Sequence, residues 1–591
     1  MTKPLASFKY FILYVAVFAS IVTSTYQLQP APKVEASIGT SKVFSAFVAL
    51  PANSTTPFIA SDIDAAVRYL VFEVHTQVRD VTLSYHSDYP SKVFDSDSGT
   101  NCGLVTLLDA FSADASTFIH NPSNQNISAL LVILPYGPKN PIPGGCNMEF
   151  PVEISAFLHL SFTRADVTLE FQHASSGYPR DGTQPHCDRG LSNFHYEIYV
   201  YYLNQRDYTE QHYFDGVSRM LDVESIKQNA HVVHGHREIP QTRALLLSYP
   251  GEGAVFNIIV QHSSPDGGVQ EAAYIPIGTY GCTWFAREND CEQMSGGLGM
   301  VFAIVVTLVG VVVCFRGHRL FTFSMFFFGF LAFALMAFVL LTKYGNFSDT
   351  DRDVLTIVCG VAGGVVWMGF WWFLGIPVVS IILAGLVLGF LLASTLLFTP
   401  FGDLYFLKSD FTYWMFLNCV MLLIVILLLP ATKFLSILSC ALVGGYCAII
   451  ALDLYLKTSL SFIVLNVLKR SFIKGGYHAS NEVPFQANDV ILALTWAALS
   501  VLGLLLQFRF ERGRPPFPQS PYRNWLRERA RHAGRRIAAT CTCGRPQESP
   551  PSAPPFFSEA DPLLNGSGRT VRQYNTMCEP PPPYFNEQTP R

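Results

Sequence analysis

His231, His234 and His236 place three imidazoles within six residues, a spacing from which ring nitrogens could bind zinc or copper. No nearby cysteine completes a ligand set, so they are read as solvated loop histidines, and no metal or other cofactor is assigned. Asp453 and Asn418 are the clearest polar candidates deep in a strongly apolar region. Ionisable groups inside a membrane are costly and tend to mark function. Lys457 follows Asp453 at i+4, so a local ion pair at the interface accounts for that aspartate. No pair of aspartates lies on two apolar stretches, and no Ser–His set accompanies them. Hydrolysis within the membrane is therefore not expected, and the chain is read as no enzyme.

Other residues point to modification. Asn53-Ser54-Thr55 and Asn126-Ile127-Ser128 are glycosylation acceptors, and Asn346-Phe347-Ser348 lies too near the membrane to be a good one. Of the thirteen cysteines, Cys102, Cys146, Cys187, Cys282 and Cys291 precede the apolar region, where an oxidising compartment permits disulfides. Cys282 with Cys291 is the best local pair and Cys146 with Cys187 a second candidate. That leaves Cys102 free or paired between chains. Twelve of the 15 histidines also precede residue 297, which would suit a response to acid.

The C-terminal segment carries three short peptide signals. Glu559 with Leu563 and Leu564 has the acidic-dileucine form, and Tyr574 with Met577 the tyrosine-x-x-bulky form, both ligands of clathrin adaptors. Pro581, Pro582 and Tyr584 resemble the polyproline ligand of WW domains, which implies WW-domain ubiquitin ligases as partners. Arg509–Arg536 is strongly basic and adjoins the membrane, where anionic lipids attract it. No nucleic-acid partner is predicted.

The elements that position these residues follow from hydropathy. The chain is 50% hydrophobic and 14% charged, with a mean hydropathy of +0.28. Seven apolar stretches are each long enough to cross a bilayer: 298–315, 320–342, 354–373, 378–398, 413–429, 434–456 and 490–508. Backbone polar groups have no partner in lipid, so all seven are expected as helices. The N-terminus reads as a secretory signal, with Lys3 and Lys9 before an apolar core at 10–22. The region between alternates apolar and polar residues, as at Val81, Leu83 and Tyr85 and at Tyr196, Ile198, Val200 and Tyr202, which argues half-buried antiparallel strands. One helix interrupts, with Asp207 and Glu210 as its capping box and Phe214, Val217 and Leu221 on its buried face.

The expected fold is thus a membrane all-α seven-helix bundle with an N-terminal lumenal or extracellular all-β, sandwich-like ectodomain and a disordered cytosolic tail. The expected divisions are a signal peptide at 1–25, β-rich units at 26–160 and 161–296, the helical domain at 297–508 and the tail at 509–591. Basic residues at Arg316–Arg319, Lys433 and Arg509–Arg536 put the C-terminus in the cytosol. The segment 457–488 disagrees, since it should be lumenal yet holds Lys457, Lys469, Arg470 and Lys474; its apolar part 460–468 is expected as an interfacial helix or an eighth inserted segment. Plasma or endolysosomal membranes are the expected location.

A receptor of the G-protein-coupled kind matches the topology but not the residues, because 369–373 reads Gly-Phe-Trp-Trp-Phe where an acidic-Arg-Tyr switch would lie. An orphan receptor and a channel or transporter remain the alternatives. Pro143-Gly-Gly-Cys-Asn147, Cys314-Phe-Arg-Gly-His-Arg319, Leu465-Asn-Val-Leu-Lys-Arg470, Val483-Pro-Phe-Gln486 with Asn488-Asp489, and Glu511-Arg-Gly-Arg-Pro515 carry a resemblance to the transmembrane 7 superfamily member 3 family. The resemblance covers the chain up to about residue 530; the Pro581–Tyr584 element departs from it. It implies seven spans, a β-rich ectodomain, no catalysis, and a cytoprotective role that limits unfolded-protein stress and programmed cell death. The helical part also resembles a domain of Wnt-signalling scaffolds, which implies protein partners. An unidentified lumenal or extracellular protein partner is expected.

Overall fold

The computed structural model describes most of residues 29–541; residues 1–28, 542–591 and several loops, of which 283–296 is the longest, lie outside the described residues. The signal segment, Cys291 and the tail signals at Glu559, Leu563, Leu564, Tyr574, Met577, Pro581, Pro582 and Tyr584 are therefore not among them. The chain divides into two compact units, Met1–Leu526 and Arg527–Arg591.

Among the described residues, four sheets pair into two β sandwiches. In the first, Phe44–Leu50, Ile127–Tyr136, Tyr69–His75 and Asn101–Leu107 run antiparallel in that order, with Gln29–Pro30 parallel at one edge. The facing sheet orders Val34–Ser37, Ser54–Ser61, Ala115–Asn121, Val81–Ser84 and Ser96–Gly99. Alternation holds where one face meets water, as in Ala115–Asn121. Tyr69–His75, an almost unbroken apolar run, and Val81–Ser84, whose sequence alternates, are each buried on both faces.

The second sandwich sets Phe194–Tyr202 and Ala254–Ser263 at the centre of one sheet, flanked by His231–His236 and Val269–Ala273. Its partner sheet joins His159–Phe162, Asp166–Glu170 and Arg243–Leu247. The histidine triplet expected in a loop therefore lies on a strand, and among the described residues no group of three metal-binding side chains assembles.

Helices α1 (Glu210–Ser218) and α2 (Val223–Asn229) pack both sandwiches together, with Tyr213, Phe214, Val217 and Ile226 in a core shared with Phe72 and Ile259. The N-cap of α1 is Thr209, whose hydroxyl accepts from the His212 N–H; Asp207 instead accepts from the Thr209 N–H. The Asp207 capping box is thus corrected by two residues.

Among the described residues, seven long helices follow: α3 (Gly297–Arg316), α4 (Phe321–Tyr344), α5 (Asp349–Leu374), α6 (Pro377–Phe398), α7 (Asp410–Leu428), α8 (Thr432–Leu456) and, after the short α9 (Phe462–Phe472), α10 (Ala487–Phe510). A last helix, α11, covers Pro521–Cys541. Among the described residues, five stretches are long and apolar enough to cross a membrane, and one of them, Asp410–Leu456, contains both α7 and α8. The break between those two is the 3-10 turn at Leu429–Ala431, where Pro430 has no N–H to continue the ladder. The apolar stretch Val301–Arg316 is shorter. Leu308, Met336, Ile426, Leu427 and Leu494 point outward at more than 60% exposure, the surface a bilayer would cover.

Inside the bundle, small residues permit close crossings. A side chain on Gly444 would meet the Cys314 backbone nitrogen at 2.6 Å, so α3 and α8 touch there backbone to backbone. Trp371 is fully buried against Phe321, while its neighbour Trp372 is exposed.

Candidate functional site

A cluster of buried polar residues, among them Asp453, Ser459, Lys469 and Asp489, forms where the second sandwich meets the helices. Two aspartates organise it. Asp489 sits in the first turn of α10 and forms a capping box with Gln486. Its carboxylate accepts from the Gln486 and Ser459 backbone N–H groups and from Gln205 Nε2 at 2.9 Å. An acidic group is favoured at a helix N-terminus by the helix dipole. Asp453, at the end of α8, accepts from the Thr458 hydroxyl and from the Leu460 and Ser461 N–H groups at 3.0 and 2.9 Å. It thereby ties α8 to the segment that starts α9. Both aspartates are fully buried, where a carboxylate persists only if donors satisfy it.

This corrects the expected Asp453–Lys457 ion pair as the account of Asp453. Lys457 ends α8 in a left-handed conformation at φ 52°, and its ammonium lies 5.7 Å from the centre of the Tyr208 ring. Lys469 and Arg470 of the same basic segment are also held by the fold, and Lys474 lies outside the described residues. Lys469 is buried and donates to the Ser248 carbonyl, over the Phe462 ring at 4.9 Å. Burial pushes its ammonium down to about 7. Arg470 stacks 4.0 Å over Tyr413 and donates to Asp410 and to the Leu407 carbonyl. These cations bond within the fold at this end of the bundle, which gives them a structural role independent of the charge rule.

The sandwich reaches this surface with two loops. In the first, the Gln205 N–H donates to Gln486 Oε1, Gln486 Nε2 donates to the Leu203 carbonyl, and Asn488 Nδ2 donates to Gln205 Oε1. Arg206 is left-handed at φ 65°, which aims its guanidinium at the Tyr455 carbonyl, 2.8 Å away. In the second loop, Tyr249 stacks edge-on against Phe462 and its hydroxyl accepts from Asn466 Nδ2. Backbone pairing adds to these contacts: Ala479–Ser480, between α9 and α10, runs parallel to Leu245–Leu246 as an edge strand of the sandwich.

Glu252 stands between these loops, 6% exposed, and its Oε2 has no hydrogen-bond partner among the described residues. Burial above all, with Asp489 and Asp453 adding to it and Lys457 opposing, pushes its carboxyl up to about 8. It is a protonatable group at the seam between two domains, and nothing in its local sequence, Pro-Gly-Glu-Gly, distinguishes it from an ordinary turn glutamate.

Other anticipated residues lie elsewhere. Asn418 is exposed on α7 and donates back to the Trp414 carbonyl, so it faces outward and joins no site with Asp453. Asn53 and Asn126 are neighbours on adjoining turns of the first sandwich: Asn53 Nδ2 donates to Asn124, and Asn126 Oδ1 accepts from the Ala52 N–H. Cys146 and Cys187 form a disulfide, Cys282 is disulfide-bonded, and Cys102 is free and fully buried.

Three family models match. Residues 37–136 match the TM7SF3-like N-terminal immunoglobulin-like domain, 141–285 the TM7SF3-like second immunoglobulin-like domain, and 303–508 the TM7S3/TM198-like domain. A Homo sapiens protein, transmembrane 7 superfamily member 3, is 34% identical over 503 residues, which are 84% of this chain and 87% of its own. The Mus musculus protein of that name is 34% identical over 494 residues, 83% of this chain and 86% of its own. Apolar helices and two immunoglobulin-like domains, matched over most of the chain, make this a multi-pass membrane protein that belongs to the transmembrane 7 superfamily member 3 family.

Proposed function

We propose that this chain is a non-enzymatic, seven-span membrane glycoprotein that limits unfolded-protein stress and programmed cell death. It does so by linking a protein partner of its β domains to partners of its tail. The observation that carries the reading is the junction: Gln205 and Arg206 of the second immunoglobulin-like domain bond to α10 and α8. A contact on the β domains would therefore bear on the helices directly through these bonds. Arg316, Arg319, Lys433 and Arg509 lie at the helix ends away from that junction, which supports a cytosolic C-terminus and glycosylated β domains outside. Clathrin adaptors would bind at Leu563–Leu564 and Tyr574, WW-domain ubiquitin ligases at Pro581–Tyr584, and endolysosomal or plasma membranes would be the location.

The test is rescue. Cells that lack the protein, challenged by calcium depletion of the secretory pathway, should regain survival with the wild type. A variant with Gln205→Ala and Asn488→Ala, present at the same level in the same membranes, should restore much less. Full rescue by that variant would refute the coupling.

A further inference from the structure

At the end of the bundle away from the β domains, the last turn of α3 and the last turn of α10 flank an open cleft. Phe315, Arg316, Arg319, Gln507, Phe510 and Glu511 line it, and it measures about 310 Å³ including its mouth. Its inner wall is rigid. Gln507 is buried, accepts from the His318 N–H at 3.1 Å and donates to the Cys314 carbonyl at 2.7 Å. Glu511 is also committed, with its carboxylate 3.8 Å from Arg514 and its carbonyl bonded to Lys433 Nζ.

The two cationic groups on the rim are not committed in this way. Arg316 lies 5.9 Å from the centre of the Phe510 ring, and among the described residues neither Arg316 nor Arg319 pairs with a carboxylate. Both are exposed. Immediately around them Leu320, Phe323 and Phe510 are 38–45% exposed, which places the rim where an apolar, lipid-covered surface gives way to charge. Cations near a helix C-terminus are favoured by the dipole alone. That accounts for the presence of arginine, but not for two guanidinium groups on one cleft with a rigid polar floor.

We propose that this cleft binds the phosphate of an anionic phospholipid headgroup, with Arg316 and Arg319 as its donors and Leu320, Phe323 and Phe510 against the acyl chains. Guanidinium is suited to this because its planar fork meets two phosphate oxygens at once. The inference requires only that the helices lie in a bilayer, not which compartment either end faces.

Native mass spectrometry of the full chain tests it, with phosphatidylcholine, phosphatidylserine or phosphatidylinositol 4-phosphate added to the purified protein. An anionic lipid should be retained by the wild type roughly tenfold or more tightly than by a variant with Arg316→Gln and Arg319→Gln, as expected for two lost charge-assisted contacts. Phosphatidylcholine retention should not differ between them. If the glutamine variant does not fold, Arg316→Lys with Arg319→Lys carries the test and must retain anionic lipid above the phosphatidylcholine level. Equal retention by wild type and the folded glutamine variant, or loss of anionic lipid from the lysine variant, overturns the proposal. Displacement of the bound lipid by millimolar inorganic phosphate overturns it as well, since a free anion would then suffice.

Discussion

Replacing Glu252 with Gln should flatten the pH dependence of this protein's stability. Glu252 is buried at the seam between the second immunoglobulin-like domain and the helices, with Asp489, Asp453 and Lys457 facing it. Its carboxyl rises from 4.5 to about 8 on folding. Across that interval the folded form holds a proton that the unfolded form has released. Stability from this group is therefore fully present below pH 4.5 and is lost as pH rises toward 8. Each pH unit crossed inside the interval removes about 1.4 kcal/mol, so the change between pH 5 and pH 7 is on the order of 2–3 kcal/mol. Lys469 titrates in the opposite sense, disfavouring the fold at low pH, but its contribution is nearly constant below its folded value of about 7. It also cancels when wild type and variant are compared. The assay is the thermal unfolding midpoint of the full chain in detergent from pH 5 to pH 7, with hydrogen exchange of 203–208 to localise the effect. The wild type should lose stability over this range and Glu252→Gln should lose much less. Parallel curves for the two proteins, or a wild type that gains stability as pH rises, would refute the reasoning.

Three further outcomes follow from the same geometry. Asp453→Ala leaves the Thr458, Leu460 and Ser461 donors buried without an acceptor, at roughly 1–3 kcal/mol each, and should raise exchange at 458–461 far more than at α10. Gly144→Ala should destabilise the second sandwich by about 2 kcal/mol or more on thermal unfolding, because φ is +66° and the new Cβ would lie 1.7 Å from the Ser155 carbonyl oxygen. Cys146→Ser removes a disulfide and should cost about 2–5 kcal/mol, seen as a lower midpoint and faster proteolysis of the β domains without reductant.

The helices were legible because hydrocarbon leaves the backbone one solution, so each apolar stretch reads directly as one element. The strands were legible where one face meets water. Tyr69–His75 was not, since both its faces are covered and its nearly continuous apolar run carries no alternation. The junction was half visible. Asp453 stood out because charge is rare in that region, but its partners are backbone N–H groups that no side-chain pattern reveals. Gln205 and Asn488 are ordinary polar residues in sequence; only their meeting across 283 positions gives them a role. The roles of Arg470 and Lys469 were hidden for the same reason, since their partners at Asp410 and Ser248 are distant in the chain.

The edge strand at Ala479–Ser480 has a consequence for biogenesis. The sheet it completes begins near residue 159, yet the closing strand is made long afterwards; Lys469, just before it, meets a partner 221 residues upstream. At about 5–20 residues per second, the ribosome needs on the order of ten to forty seconds to cover that distance. During this interval the Arg243–Leu247 strand waits with an open, unpaired side, the kind of edge that recruits the wrong neighbour. Insertion of the helices is thus a step in the maturation of the β domain. A chain arrested before α9 would display an unfinished sheet to the folding machinery of its compartment.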